Sequence, residues 1–545
     1  MRRSVCCILS ICAFLKGALF AQTVSLTSSN LPIVVVRTNG QTIVDEPKVT
    51  VDLGIIHRGD GARNLLTDPF NVYGGKAGIE IRGQSSQTFP MKSYTIELRT
   101  ASGTAQDVPL LGMPADNDWV LYAPYTDKTL MRNVLAYAIA REMGRWAARC
   151  RFVELVVDND YKGVYVLMEK IKKSTARVNI ATLAATDLAG EPLTGGYIFS
   201  LDKQPNGWFS SFVPPNSTSR NTRQFSYVYP QPEDIAQPQK DYIRRYVDSF
   251  ENALFGPQFQ DPDKGVRRYA DIPSFIDYLI VNEVSRNVDG YRLSTYLHKD
   301  RDSRDRRIRA GPVWDYDLAF RNANYCNGSD ITGWAYRFNY VCPGDGAGLI
   351  PFWWDRLLMD TAFNSLLYCR WTDLRKGTLS MSRLRSLVDS VGTVLQEAQQ
   401  RHFMRWRILG QYVWPNPTPI PASYPAELEQ LKSWLEYRLN WIDLAIAPSG
   451  ACAGWPPNLP GATEVSVFPN PFRGAGQLTI RSKARQRLEL TAVDATGRLV
   501  AQRGVTVPKG LSSQSLGAAA WPSGMYYLRI VDEDGRSFAY RVFKL

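Results

Sequence analysis

IEIRGQSSQTFPMKSYTIEL, residues 79–98, is the stretch on which the reading of the fold turns. Apolar and polar residues alternate on either side of a polar centre, with Ile79 and Ile81 before it and Tyr94, Ile96 and Leu98 after it. A period of two belongs to strands with one buried face. Between the strands, Gly83, Ser85 and Ser86 make a small polar turn, and Lys92 leads into the second strand. The amides of such a turn can face an anion and a neighbouring lysine can add charge. An ordinary hairpin with a surface lysine has the same pattern. No GxxxxGK[ST] run occurs in the chain to offer a standard phosphate cradle.

Working outward, LPIVVVRT (31–38), a turn at Asn39-Gly40 and KVTVDLGII (48–56) read as further short strands. TLMRNVLAYAIAREMGRW (129–146) puts Leu130, Val134, Leu135, Ile139 and Met143 on one helical face. RFVELVVDNDYKGVYVLMEKI (151–171) predicts a hairpin turning at Asp158-Asn159-Asp160. Residues 205–238, rich in Pro, Ser, Asn and Gln, read as an insertion or long loop. Beyond them the pattern is largely helical, over 240–255, 272–286, 382–408 and 428–446. A β-rich N-terminal half followed by a helical C-terminal half predicts an α+β domain over 22–446, with its cleft between the halves. A Pro/Gly-rich linker over 447–464 follows, and short alternating strands over 465–545 predict a small all-β, immunoglobulin-like sandwich.

The chain has 545 residues, 44% of them hydrophobic, enough for a large core and a satellite module. The 64 Lys+Arg against 52 Asp+Glu give a net charge of +12, which suits an anionic nucleotide or a charge spread over a solvated surface; no nucleic-acid partner is expected. MRRSVCCILSICAFLKGALFAQ (1–22) has a basic start, an apolar stretch broken by Lys16 and the small Ala21, a signal-peptide pattern over 1–21. Cys12 invites lipidation, but the large Ile11 before it fits poorly. No other segment has the roughly 20 consecutive apolar residues of a membrane span, so no stable span is expected.

Of eight cysteines, five follow the leader: Cys150, Cys326, Cys342, Cys369 and Cys452. In an oxidising compartment Cys326 and Cys342, which flank a Gly/Asn/Tyr-rich stretch, are the expected pair. No CxxC spacing and only three histidines leave little for a structural zinc or His-based centre.

Three acidic residues carry the chemical reading. VNEVSRNVDGYRLSTYLHKD (281–300) holds Asp289, and RAGPVWDYDLAF (309–320) holds Asp315 and Asp317 between apolar residues, at the end of an expected strand. Carboxylates at a buried strand edge need partners. In phosphoryl transfer one carboxylate orients the attacking hydroxyl while another holds the Mg²⁺ that bridges the phosphates. Buried aspartates also cap turns or pair with arginine. Two apart on a strand, Asp315 and Asp317 would share one face and could share one metal. Asn282 and Asn287 offer amide oxygens to such an ion or cap a helix. Glu169, at a strand end beside Lys170, suits an adenine edge, a pair with Lys92 or a surface ion pair.

Six ordered segments together resemble the CotH kinase family, relatives of spore coat protein H: residues 79–98, 118–144, 161–173, 195–203, 282–300 and 311–320. The resemblance covers roughly residues 30–445. It implies an atypical protein-kinase-like fold that binds ATP with Mg or Mn and phosphorylates Ser/Thr hydroxyls of secreted or surface proteins. It implies that Asp289 is the catalytic Asp, that Asp315, with or without Asp317, binds metal, and that Lys92 contacts phosphate, beside the loop around Ser85 and Ser86 already read as a phosphate-facing turn. Glu169, Arg82 and Arg132 match motif positions, the first near the nucleotide. The family carries Lys more often than Met at position 91.

The C-terminal stretch, with VFPNPF, DATGRLV, PSGMYYLRI and RVFKL, looks like the type IX secretion sorting domain of Bacteroidetes-type bacteria. That resemblance implies export through the periplasm and across the outer membrane by the type IX machinery, to the cell surface or beyond. A carbohydrate-binding sandwich lacks support, there being no aromatic cluster. Two other functions stay open: a non-catalytic surface binding or structural protein with the same fold, and a polysaccharide hydrolase using Asp289 and Asp315 as paired carboxylates.

Overall fold

Alternating strands in the first part of the chain close on themselves. The structure, a computed structural model, describes residues 24–59, 61–203, 205–448, 452, 464–467, 472–482, 484–494, 498–533 and 537–545, in two units, Met1–Gly450 and Ala451–Leu545. In the first unit β1 (Ile33–Arg37), β2 (Val49–Ile56), β3 (Tyr73–Arg82), β4 (Ser93–Arg99), β5 (Asp118–Tyr122), β6 (Cys150–Val157) and β7 (Asp160–Glu169) form a closed barrel in the order β6-β7-β5-β4-β3-β2-β1. The neighbours are antiparallel except where β6 runs parallel to β1, Glu154 opposite Ile33, and closes the ring. Closure leaves no sheet edge. Inward residues such as Val34, Leu53, Ile79, Ile96, Leu121 and Leu167 form its core. The β6–β7 hairpin turns on Asp158 (φ 48°) and Asn159 (φ 65°), as the polar turn predicts.

The rest of the unit is built on α1 (Arg132–Glu142), α2 (Gln237–Phe255), α3 (Ile272–Ser285), α4 (Thr361–Arg375), α5 (Met381–Leu395), α6 (Ala398–Arg405) and α7 (Tyr424–Ala445). An antiparallel sheet of β8 (Tyr197–Leu201), β9 (Phe225–Tyr229), β10 (Thr295–Lys299) and β11 (Ile308–Ala310) runs in the order β9-β8-β10-β11. Helix α3 is buried at every residue but Pro273, and its buried polar Asp277, Asn282 and Glu283 are each paired. It is tied to α7 by a buried ion pair, Arg438 Nη2 to Glu283 Oε2 at 3.1 Å.

Two local expectations are corrected. Residues 205–238 contain β9, which pairs with β8, because Phe225, Tyr227 and Tyr229 alternate on a strand that the surrounding polar composition masks. The pattern over 382–408 is two helices, α5 and α6, broken at Gln396 and Glu397. A disulfide joins Cys326 to Cys342, as the sequence predicts, and Cys150 is a free thiol.

The second unit holds β12 (Glu464–Val467), β13 (Gln477–Ser482), β14 (Gln486–Asp494), β15 (Leu499–Val507), β16 (Gly510–Ser515), β17 (Gly524–Val531) and β18 (Ser537–Lys544). They make one sheet ordered β12-β13-β16 and another ordered β15-β14-β17-β18. Leu478 and Ile480 of the first share a core with Leu488, Leu490, Leu528 and Ile530 of the second. That is a sandwich. The predicted leader (1–21), most of the linker and residues 495–497 within DATGRLV lie outside the described residues.

Candidate functional site

Helix α3 ends where Arg286 takes a left-handed conformation (φ 47°), a common way to stop a helix. A tight turn follows: Asp289 N donates to Asn287 Oδ1 at 3.1 Å, and Leu293 N donates to the Asp289 carbonyl at 2.9 Å. This sets the Asp289 carboxylate beside Arg292, whose Nη2 donates to Oδ1 at 2.6 Å. Arg292 is itself pinned, lying 4.3 Å over the Phe338 ring.

Asp315 and Asp317 do not end a strand, contrary to the sequence reading. Strand β11 stops at Ala310. Gly311 N still reaches the Tyr296 carbonyl at 2.8 Å, but Pro312 has no N–H to continue the ladder. Asp315 then adopts φ 65°. Helix α1 and the end of α3 hold this irregular segment instead. Asp315 N donates to Tyr137 Oη at 3.1 Å, Tyr316 N to Asn133 Oδ1 at 2.6 Å, and Asn287 Nδ2 to the Asp315 carbonyl at 3.3 Å. Tyr316 Oη donates to Asn282 Oδ1 at 3.0 Å. Both asparagines flagged in the sequence therefore position this segment.

A cavity of about 470 Å³ gathers these pieces, a volume in the range of small-molecule sites. Asp289, Asp315 and Asp317 line it together with Arg82, Ser85 and Ser86. The loop that carries the serines begins at Gly83, whose φ of 99° suits glycine, and winds into a short 3-10 turn, Ser85–Thr88. Lys203 bridges to it, its Nζ 3.3 Å from Ser85 Oγ.

Two predicted residues are not brought there. Lys92 does not line the cavity; its Nζ donates back to the carbonyls of Gln87 at 2.5 Å and Phe89 at 2.7 Å. Met91 and Ser93 on either side do line the cavity. Glu169 is fully buried and paired with Arg149, Oε1 to Nη2 at 2.8 Å, while its neighbours Met168 and Lys170 line the cavity. Arg132 forms a buried ion pair with Asp127, and its Nε reaches the Phe320 carbonyl at 3.3 Å.

The sequence reading missed Lys170, Asp202, Lys203 and Tyr122, all cavity-lining. The available signal for two of them was the charged pair that follows the apolar strand in GGYIFSLDK (195–203). The Tyr122 hydroxyl is buried without a partner.

Negative charge crowds one wall. Desolvation by the surrounding protein first, then Asp289, raises the Asp315 carboxyl, although the residue is exposed on the cavity wall. Burial, then Asp315 and Asp289, holds the Asp317 carboxyl well above the usual carboxylate range. Burial also raises Asp202. Lys203 opposes these shifts at both Asp315 and Asp317. Among the described residues no three His, Cys, Asp or Glu side chains form a ready-made metal cage.

The matched family defines the class. A protein-family model described as CotH kinase protein matches residues 79–442, and the chain belongs to that family. A second, described as a secretion system C-terminal sorting domain, matches residues 466–542. The protein is thus an exported member of the CotH family, and its sorting domain implies the type IX secretion machinery and a destination at the cell surface or beyond. No helix among the described residues is long and apolar enough to cross a membrane. No curated protein matches the chain. One solved structure, a β-glucosidase from Listeria innocua in complex with glucose, is 12% identical over 15% of this chain and 16% of its own. Its TM-score of 0.12 carries no structural argument.

Proposed function

We propose that the first unit is a kinase-like domain that transfers the γ-phosphate of ATP to Ser/Thr hydroxyls of secreted or surface proteins. The observation that carries this reading is the convergence of Asp289, Asp315 and Asp317 with the Ser85–Ser86 turn on one cavity. Asp289 accepts the hydrogen bond of the acceptor hydroxyl. As that oxygen bonds to the γ-phosphorus and the bond to ADP breaks, Asp289 takes up the released proton. Arg82 and the serine turn hold the phosphates.

The donor set fits Mg²⁺ or Mn²⁺. Asp315 and Asp317 offer hard oxygen ligands whose mutual repulsion a cation relieves, and Mg²⁺ is commonly held by one or two carboxylates plus phosphates and water. When bound, the ion neutralises charge on the transferring phosphoryl group.

Lys92 and Glu169, turned away from the cavity, favour the second reading, a surface binding or structural protein that keeps this fold without catalysis. Purified full-length protein with labelled ATP and Mg²⁺ or Mn²⁺ separates the two. Transfer of label that Asp289→Asn lowers at least about 1,000-fold, with thermal stability retained, supports the kinase; identical behaviour of the two proteins refutes it.

A further inference from the structure

A second cavity, of about 480 Å³, lies against the first. Ser85, Asp202, Lys203, Asp289, Leu293, Leu318 and Trp414 line both. Asp315 and Asp317 line only the first, whereas Arg223 and Arg292 line only the second. Asp289 and Asp202 therefore stand at the junction between an acidic wall and one that carries two arginines.

Arg223 is the unusual member. It is 2% exposed, and it donates to the carbonyls of Ala347 and Arg292. Its Nε is buried with no partner. Among the described residues no carboxylate forms an ion pair with it. A buried guanidinium hydrogen-bonded only to neutral carbonyls, with Asp202 acting on it from beyond ion-pair range, is costly to the fold, and such a group beside an open cavity is matched by an incoming anion. Burial, then the neighbouring Arg292, pushes it down to about 10 against a weaker pull from Asp202, so it stays charged at neutral pH. The rim is apolar. Phe209 and Trp414 are exposed there, and Trp414 stacks on Tyr325 with ring planes 2° apart.

We propose that this second cavity is the acceptor subsite, taking an acidic side chain that flanks the serine or threonine presented to Asp289. Lys203 and Arg223 supply the charge that recognises the carboxylate, and the exposed rings contact the polypeptide on either side. Guanidinium–carboxylate pairing is strong and directional, and aromatic rims suit extended chains. The inference rests on the phosphoryl-transfer reading of the first cavity and deepens it by naming a substrate class.

The test uses the full-length protein and labelled peptides with one serine flanked by Glu, by Gln or by Lys, read by fluorescence anisotropy. The Glu peptide binds at least about tenfold tighter than the Gln peptide. Arg223→Gln and Lys203→Gln each cut that ratio to less than about threefold. Because Lys203 is exposed, its variant carries the test if Arg223→Gln fails to fold. Equal affinities, a preference for the Lys peptide, or no binding overturns the subsite. Phosphoryl transfer to the same peptides is scored in parallel. Transfer without a Glu preference sinks this inference and keeps the kinase reading. Glu-selective binding without transfer sinks the kinase reading and leaves an acidic-polypeptide subsite.

Discussion

Lys92 Nζ donates to the Phe89 carbonyl at 2.7 Å and to the Gln87 carbonyl at 2.5 Å, so this lysine braces its own loop from behind. Arg82, by contrast, lines the cavity, with its guanidinium 5.5 Å from the Trp314 ring centre. Titration with a fluorescent ATP analogue should then rank the two residues in reverse of the motif. Lys92→Met raises the dissociation constant less than about threefold, and Arg82→Ala raises it at least about tenfold. A larger effect at Lys92 would return the phosphate contact to it.

Glu283 joins the two central helices. It accepts from Tyr291 Oη at 2.9 Å, Ala335 N at 2.7 Å and Tyr336 N at 2.9 Å, as well as from Arg438. Arg438→Met leaves that carboxylate buried without its counter-charge and costs about 3–5 kcal/mol. Adding Glu283→Gln recovers part of the loss. Urea unfolding of the single and double variants checks both statements. Since Asp289 follows the same helix, a loosened α3 also lowers any activity of the Asp289 turn.

Glu251 gives a pH signature. It accepts from Trp353 Nε1 at 2.9 Å and Ser210 Oγ at 2.8 Å, yet burial pushes it up from 4.5 to about 7. With the folded pKa above the unfolded one, its contribution to stability is fully present below 4.5 and is lost as the pH rises through 7. Glu251→Gln keeps the shape without ionising. It should exceed wild type in stability by roughly 3 kcal/mol at pH 8, with the gap closing near pH 4.5. Thermal melts across that range decide it; a gap independent of pH refutes the assignment.

Local chemistry made part of the fold legible. Asp158 and Asn159 tolerate positive φ, so a polar pair between two Val-rich runs reads as a tight hairpin turn, and of the apolar face read for α1, Leu135 and Ile139 are buried whereas Val134 lies on the half-buried outer side. Strand β9 was hidden because its pairing with β8 is a long-range event inside a polar stretch. The three aspartates were legible as a set through their shared segments, but their support was not. Tyr137 and Asn133 act from a helix far back in the sequence, and no local pattern encodes that. At Met91 and Lys92 residue type outweighed sidedness: the lysine has the expected chemistry, whereas the loop leading into β4 turns it back onto the Gln87 and Phe89 carbonyls.

The parallel seam between β1 and β6 has a practical side. The family match starts at residue 79, inside β3, so β1 and β2 fall outside it although both are staves of the barrel. A shortened polypeptide cut to the match would leave β6, the remnant of β3 and Glu97–Arg99 of β4 with bare edges, each a template for sticking to a second molecule. Recombinant versions meant for crystals or antibodies should therefore start upstream of Ile33, however weakly that region resembles its relatives.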